Sequence, residues 1–153
     1  MSASGCLFDA SVWVALAFSF HPHHAEARRE FDAADSAQPA AFCRATQHAF
    51  LRLVTTPAVQ QIYGSGLITN DEAWEKWEVL NALPQIVWLE EPKGLESYWQ
   101  KHGRLKAAAP KVWMDAYLAA FARAHGIALA TLDQDFKKFS GLSVKYLLAP
   151  AKS

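Results

Sequence analysis

Asp9, Asp115 and Asp133 stand where a parallel α/β fold would collect its chemistry. Asp9 closes the apolar run Cys6-Leu7-Phe8, and Asp133, with Asp135 two residues on, follows the run Ile127 to Thr131. Asp115 lies near the start of Trp113 to His125, the segment that leads into that second run. If both runs are parallel strands, their carboxyl ends share the edge where such sheets hold their ligands. A helix running antiparallel to the strand it feeds begins at that same edge, so Asp115 joins the other two. Ionised carboxylates gathered in a partly buried pocket repel one another and lose hydration. A divalent cation offsets both effects, and an all-oxygen donor set suits Mg²⁺ or Mn²⁺ better than zinc. Such a site takes up phosphate oxygens and lowers the pKa of a water for in-line attack on a phosphodiester. Each aspartate also has a plainer role. Asp115 is a first-turn acid, favoured by roughly 0.3–1 kcal/mol through the helix dipole. Asp9 can cap a helix, and Asp133-Gln134-Asp135 can be a solvated turn.

The elements that must position these residues are legible in outline. Cys6 to Phe8 reads as a buried strand, followed by a helix opening at Ser11. After the loop His21-Pro22-His23-His24, a helix runs through Glu26, Arg28, Phe31 and Asp35 until Gln38-Pro39 breaks it. Ala40 to Cys43 is a second strand. Thr46 is the expected cap of the next helix, which Pro57 stops. Tyr63-Gly64-Ser65-Gly66 turns the chain, and Thr69 with Asp71 and Glu72 opens a helix carrying Trp74, Trp77, Leu80 and Leu83. Ile86 to Leu89 is a third strand, Leu95 to Leu105 a helix, and Trp113 to His125 another that Gly126 terminates. Ile127 to Thr131 and Val144 to Leu147 are the last strands. This alternation predicts an α/β fold of three layers, with a central, mainly parallel sheet flanked by helices. Residues 1–148 form one domain and 149–153 a short frayed tail.

The 153 residues are 52% hydrophobic and 20% charged, which excludes intrinsic disorder and suffices for a core without disulfide or zinc staples. Fifteen Lys and Arg balance fifteen Asp and Glu, so a nucleic-acid site must be local rather than a global basic field. Cys6 and Cys43 lie in apolar stretches and read as buried thiols of a reducing compartment. With no secretory leader and no run long enough for a membrane span, a cytoplasmic protein is expected.

Four stretches resemble the PIN-domain ribonucleases, and specifically the VapC-type toxins of type II toxin–antitoxin systems. Leu7-Phe8-Asp9-Ala10-Ser11-Val12-Trp13 resembles the opening motif. Thr46-Gln47-His48-Ala49-Phe50-Leu51-Arg52-Leu53, with Thr56-Pro57-Ala58-Val59, resembles the second. Asp115-Ala116-Tyr117-Leu118 resembles the third, and Leu129-Ala130-Thr131-Leu132-Asp133-Gln134-Asp135-Phe136 the fourth, which Gly141-Leu142 continues. They occur in family order from residue 7 to 142. The resemblance implies a PIN fold and a Mg²⁺-dependent endoribonuclease, with Mn²⁺ as a substitute, acting on structured RNA. It also implies a cognate VapB-like antitoxin and a homodimer. Asp9, Asp115 and Asp133 become the metal-site and catalytic carboxylates, Ser11 and Thr131 the hydroxyls that order the site, and Asp135 an outer acid. One departure stands out: Gln47 occupies the place where the second motif usually has Glu, which favours one metal over two. The alternative is a catalytically weak PIN-like protein that acts through antitoxin or RNA binding.

Arg52, five residues after Gln47, is either a surface residue or a phosphate contact near the site. Lys101, Arg104, Lys106 and Lys111 form the densest positive stretch and precede Asp115, as a solvated face or as a grip on RNA phosphates. The histidine loop lacks partners at metal-ligand spacing. A dehalogenase-like phosphatase needs a second Asp two residues after the first, where this chain has Ser11, and no glycine-rich phosphate fingerprint follows the first strand.

Overall fold

Strands of three or four residues suffice in this protein because the central ones are buried on both faces. The computed structural model describes residues 5–64 and 66–147; the tail 149–153 lies outside them. The order is β1 (Cys6–Phe8), α1 (Ala10–Ala17), α2 (His24–Asp32), β2 (Ala40–Phe42), α3 (Arg44–Val54), α4 (Pro57–Tyr63), α5 (Asn70–Asn81) and β3 (Ile86–Trp88). Then follow α6 (Leu95–Gly103), α7 (Val112–His125), β4 (Ala128–Thr131), a 3-10 helix (Gln134–Lys138) and β5 (Val144–Tyr146). The strands form one sheet in the order β3-β2-β1-β4-β5, with every pairing parallel. The chain builds outward from β1 to β3, then returns to add β4 on β1's other side. The topological switch point therefore lies between β1 and β4.

Alternate strand residues serve opposite faces. Cys6, Phe8, Ala40, Phe42 and Ala130 join one core with Val12, Trp13, Phe50 and Ala73 of α1, α3 and α5. Leu7, Ala41 and Leu129 join the other with Leu95, Ala116, Ala119 and Phe121 of α6 and α7. The Trp13 ring stacks on Phe42 with centroids 3.9 Å apart and planes 7° apart, and tilts against Phe8 at 4.9 Å. Gly126, at φ 71°, ends α7 in the left-handed conformation, and the Ile127 N–H closes back on the Ala122 carbonyl at 3.0 Å.

Two local expectations are corrected. Thr46 is not the cap of α3 but its third residue: its hydroxyl bonds back to the Cys43 N–H at 3.0 Å, so the helix starts at Arg44. The structure therefore draws Gln47 into the first turns of α3, next to the carboxyl edge of β2. Pro57 ends α3, yet its fixed φ suits a first helical position, and α4 begins there at once. Thr69 and Glu72 form the reciprocal cap expected of α5.

Trp13 packs against the rings of Phe8, Phe31 and Phe42, so Trp13→Ala should cost about 3–5 kcal/mol in urea denaturation. A midpoint within error of the parent would show that the core does not centre on it.

Candidate active site

Register places the first two acids. Phe8 pairs with Ala130, and the ladder continues one residue beyond β1, where the Asp9 N–H bonds the Ala130 carbonyl at 2.9 Å. Asp9 thus comes level with Thr131. The Thr131 hydroxyl donates to Asp9 Oδ2 at 2.8 Å, and the Ser11 hydroxyl donates to the same oxygen at 3.0 Å. Each hydroxyl also accepts from the segment leaving β4: Thr131 Oγ1 from the Asp133 N–H at 3.0 Å, Ser11 Oγ from the Leu132 N–H at 3.3 Å. Asp9 sits at the N-cap position of α1 but makes no side-chain cap bond. Its carboxylate is taken up by the Thr131 and Ser11 hydroxyls instead. Asp133, half-buried, does cap: its Oδ1 accepts the Asp135 N–H at 2.8 Å at the head of the 3-10 helix. Asp135 is exposed on that helix.

Asp115 arrives from the other face of the sheet, in the first turns of α7 and half-buried. Burial pushes its carboxyl up to about 6; the charges of Asp9 and Asp133 push the same way, and Lys138 opposes them. Burial also raises Asp9, with Asp133 adding to the rise, while the hydrogen bonds from Thr131 and Ser11 oppose it. Asp115 feels the charges of both Asp9 and Asp133, and Asp9 feels that of Asp133, so the three acids stand near one another at the switch point.

Among the described residues, no three Asp, Glu, His or Cys side chains stand close enough to clasp an ion by themselves. Mg²⁺ does not require that, since one or two carboxylates with retained waters are its usual protein environment. Hard oxygens, mutual repulsion and a raised proton affinity at Asp115 fit such a cation.

The other sequence candidates divide. Gln47 is buried on α3, and its Oε1 accepts from Arg44 Nη1 at 2.6 Å. The Arg44 guanidinium lies over the Trp88 ring, 4.8 Å from its centroid. Sequence reasoning passed over Arg44, whose one signal was its three-residue spacing from Gln47. Lys138 was missed as well, for want of a predicted helix after Asp133. Arg52 is exposed and lines the groove between α3 and α5 with His48 and Trp74. It lies about 7.5 Å further down the helix axis than Gln47. Lys101 lies in the last turn of α6, while Arg104, Lys106 and Lys111 are exposed on the connection from α6 to α7, at the end of α7 that carries Asp115.

A parallel α/β sheet with a hydroxyl-tethered aspartate and further acids at its switch point defines the class of protein. Residues 6–142 match the PIN domain. The chain belongs to the PIN-domain family. It is 42% identical to ribonuclease VapC41 of Mycobacterium tuberculosis over 142 residues, covering 92% of this chain and 97% of that relative. Its fold matches DNA-bound VapBC from Salmonella typhimurium with a TM-score of 0.66 at 9% identity, covering 95% of this chain and 100% of that one. It also matches VapC20 of Mycobacterium tuberculosis, a sarcin-ricin loop cleaving toxin, with a TM-score of 0.58 at 16% identity, covering 91% and 99%.

The raised carboxyl of Asp115 sets the sign of a pH effect. Below its ordinary value of 3.8 the group is protonated in folded and unfolded chains alike. From there to about 6, the unfolded chain releases a proton that the fold retains, so the metal-free fold loses stability as pH rises. Asp115→Asn removes that loss. Without metal, its melting temperature at pH 7.5 should equal or exceed the parent's, with the difference fading toward pH 4. A variant melting well below the parent at pH 7.5 would make Asp115 a structural residue.

Proposed function

We propose that this protein is a VapC-like endoribonuclease toxin that cuts structured RNA with Mg²⁺ and is neutralised by a cognate VapB-like antitoxin in the cytoplasm. The observation that carries this reading is the convergence of Asp9, Asp115 and Asp133, from three separate elements, on one hydroxyl-tethered pocket. The 42% identity to a ribonuclease across nearly the whole chain supports it. Divalent-metal dependence is the general chemistry of the family.

Asp9, Asp115 and Asp133 would hold the ion, with Ser11 and Thr131 fixing the Asp9 carboxylate so that it cannot swing away from the repulsion. The bound Mg²⁺ would lower the pKa of a water and orient it for in-line attack on phosphorus. With Gln47 neutral, the pocket favours one ion, and Asp135 serves as an outer acid. Lys101, Arg104, Lys106 and Lys111 would hold phosphates of the RNA on the approach to Asp115. Arg52 and its neighbour Trp74 line the α3–α5 groove, a surface that suits contact with a second copy. Exposed Phe20, Ile62, Leu67 and Val79, near α1, α4 and α5, suit an apolar antitoxin segment. No helix among the described residues is long and apolar enough to cross a membrane.

The second reading, a weakly catalytic protein that works by binding, is favoured by one feature: Gln47, bonded to Arg44, brings no negative charge to the site. One assay separates the two. Antitoxin-free protein is given total RNA with Mg²⁺, with Mn²⁺ or with EDTA, beside Asp9→Ala. Discrete metal-dependent products that the variant fails to make are expected, a loss of at least about a hundredfold. Intact RNA in every lane would leave the binding protein as the account.

A further inference from the structure

We propose that Trp113 is a stacking platform for an unpaired base of the RNA, held beside the connection from α6 to α7; this rests on the ribonuclease reading. Trp113 is the second residue of α7, and 53% of it is exposed. Exposed tryptophan normally moves, yet this one is held. A Cβ on Gly103 would lie 2.9 Å from Trp113 Cζ3, so the indole rests directly on the last residue of α6. Trp99 meets it edge-on at 6.3 Å with planes 85° apart, and its Nε1 donates to the Trp113 carbonyl at 3.1 Å. The ring is fixed before anything binds, so little conformational freedom is lost when a flat partner stacks on it.

The ring walls a pocket of about 560 Å³ formed with the connection from α6 to α7. Ala107, Ala108, Ala109 and Pro110 line it together with Arg104 and Lys106, and no acidic residue does. That volume lies within the range of small-ligand sites. Among the described residues, Arg104, Lys106 and Lys111 have no ion-pair partner. An aromatic surface beside uncompensated cations complements a base and its phosphates, the pairing by which single strands are held. The base must be unpaired, because its flat face and edge are free only outside a helix. Trp113 and Asp115 are two positions apart, which sets their side chains about 200° apart around the helix axis. The platform therefore holds a nucleotide other than the one being cut. The basic stretch thus gains an orienting member that its charges alone lack.

The test is fluorescence anisotropy of a labelled, unstructured single-stranded RNA octamer with the full chain, in EDTA so that nothing is cut. Trp113→Ala should weaken binding by about tenfold, the scale of one lost base–aromatic stack. Trp113→Phe should stay within about threefold of the parent, which together with an unchanged melting curve separates stacking from folding. An octamer of abasic riboses carrying the same phosphates should bind Trp113→Ala and parent alike. Equal octamer affinity for parent and Trp113→Ala overturns the platform. So does a Trp113→Ala variant that keeps RNA affinity but turns from dimer to monomer in sedimentation, since the ring would then be a contact between copies. Failure of the ribonuclease reading shows differently: the parent binds the octamer through Trp113 and yet cuts no RNA when Mg²⁺ is added, which leaves the stacking site standing.

Discussion

Like charges held together against their repulsion are the constraint on which the rest of this structure depends. Asp9, Asp115 and Asp133 come from β1, α7 and the segment after β4, and nothing within the trio attracts its members. The remainder of the fold supplies the force. Two cores clamp the sheet from either face, and the alanines of α7 let that helix lie close enough for its first turns to reach the carboxyl edge. The Ser11 and Thr131 hydroxyls fasten Asp9 and the β4 exit to each other. Burial, followed by the neighbouring charges, holds the Asp115 carboxyl up near 6, which records how unfavourable the bare arrangement is. Apolar packing stabilises a cluster that electrostatics alone would disperse.

The replacement at position 47 alters the charge balance of this edge rather than its shape. A Glu there would add negative charge beside β2. Gln47 adds none, and its amide oxygen accepts from Arg44, whose guanidinium also lies over Trp88. The positive charge of Arg44 is then not cancelled by a carboxylate at 47. Fewer acids and a stacked arginine leave this edge less negative than a Glu at 47 would.

Much of this was legible from the residues. Alternating short apolar runs and helical periodicities forecast the parallel sheet, because strands buried on both faces leave continuous apolar triplets such as Cys6-Leu7-Phe8. The convergence of Asp9, Asp115 and Asp133 followed from topology, since a helix that feeds a parallel strand must start at that strand's carboxyl end. The hydroxyl tethers followed less directly: Thr131 and Ser11 were marked by resemblance, while the shared Asp9 oxygen required the β1–β4 register. Thr46 misled because a threonine at the third helical position bonds back to Cys43 much as a cap would. Trp113 was hidden for a different reason. An aromatic in an amphipathic helix looks like core, and only the packing of Gly103 beneath it shows a ring held in place yet half open to solvent.

The central claim, that the carboxylate pocket is an unfavourable arrangement relieved by a divalent cation, is tested most directly by thermal melting of the full chain against Mn²⁺ concentration. Binding to the folded state alone must raise the melting temperature with the logarithm of free ion above the dissociation constant. The parent should show that rise, and Asp9→Asn and Asp115→Asn should each flatten it. A parent whose melting temperature ignores Mn²⁺, or variants that respond as strongly as the parent, would contradict the account.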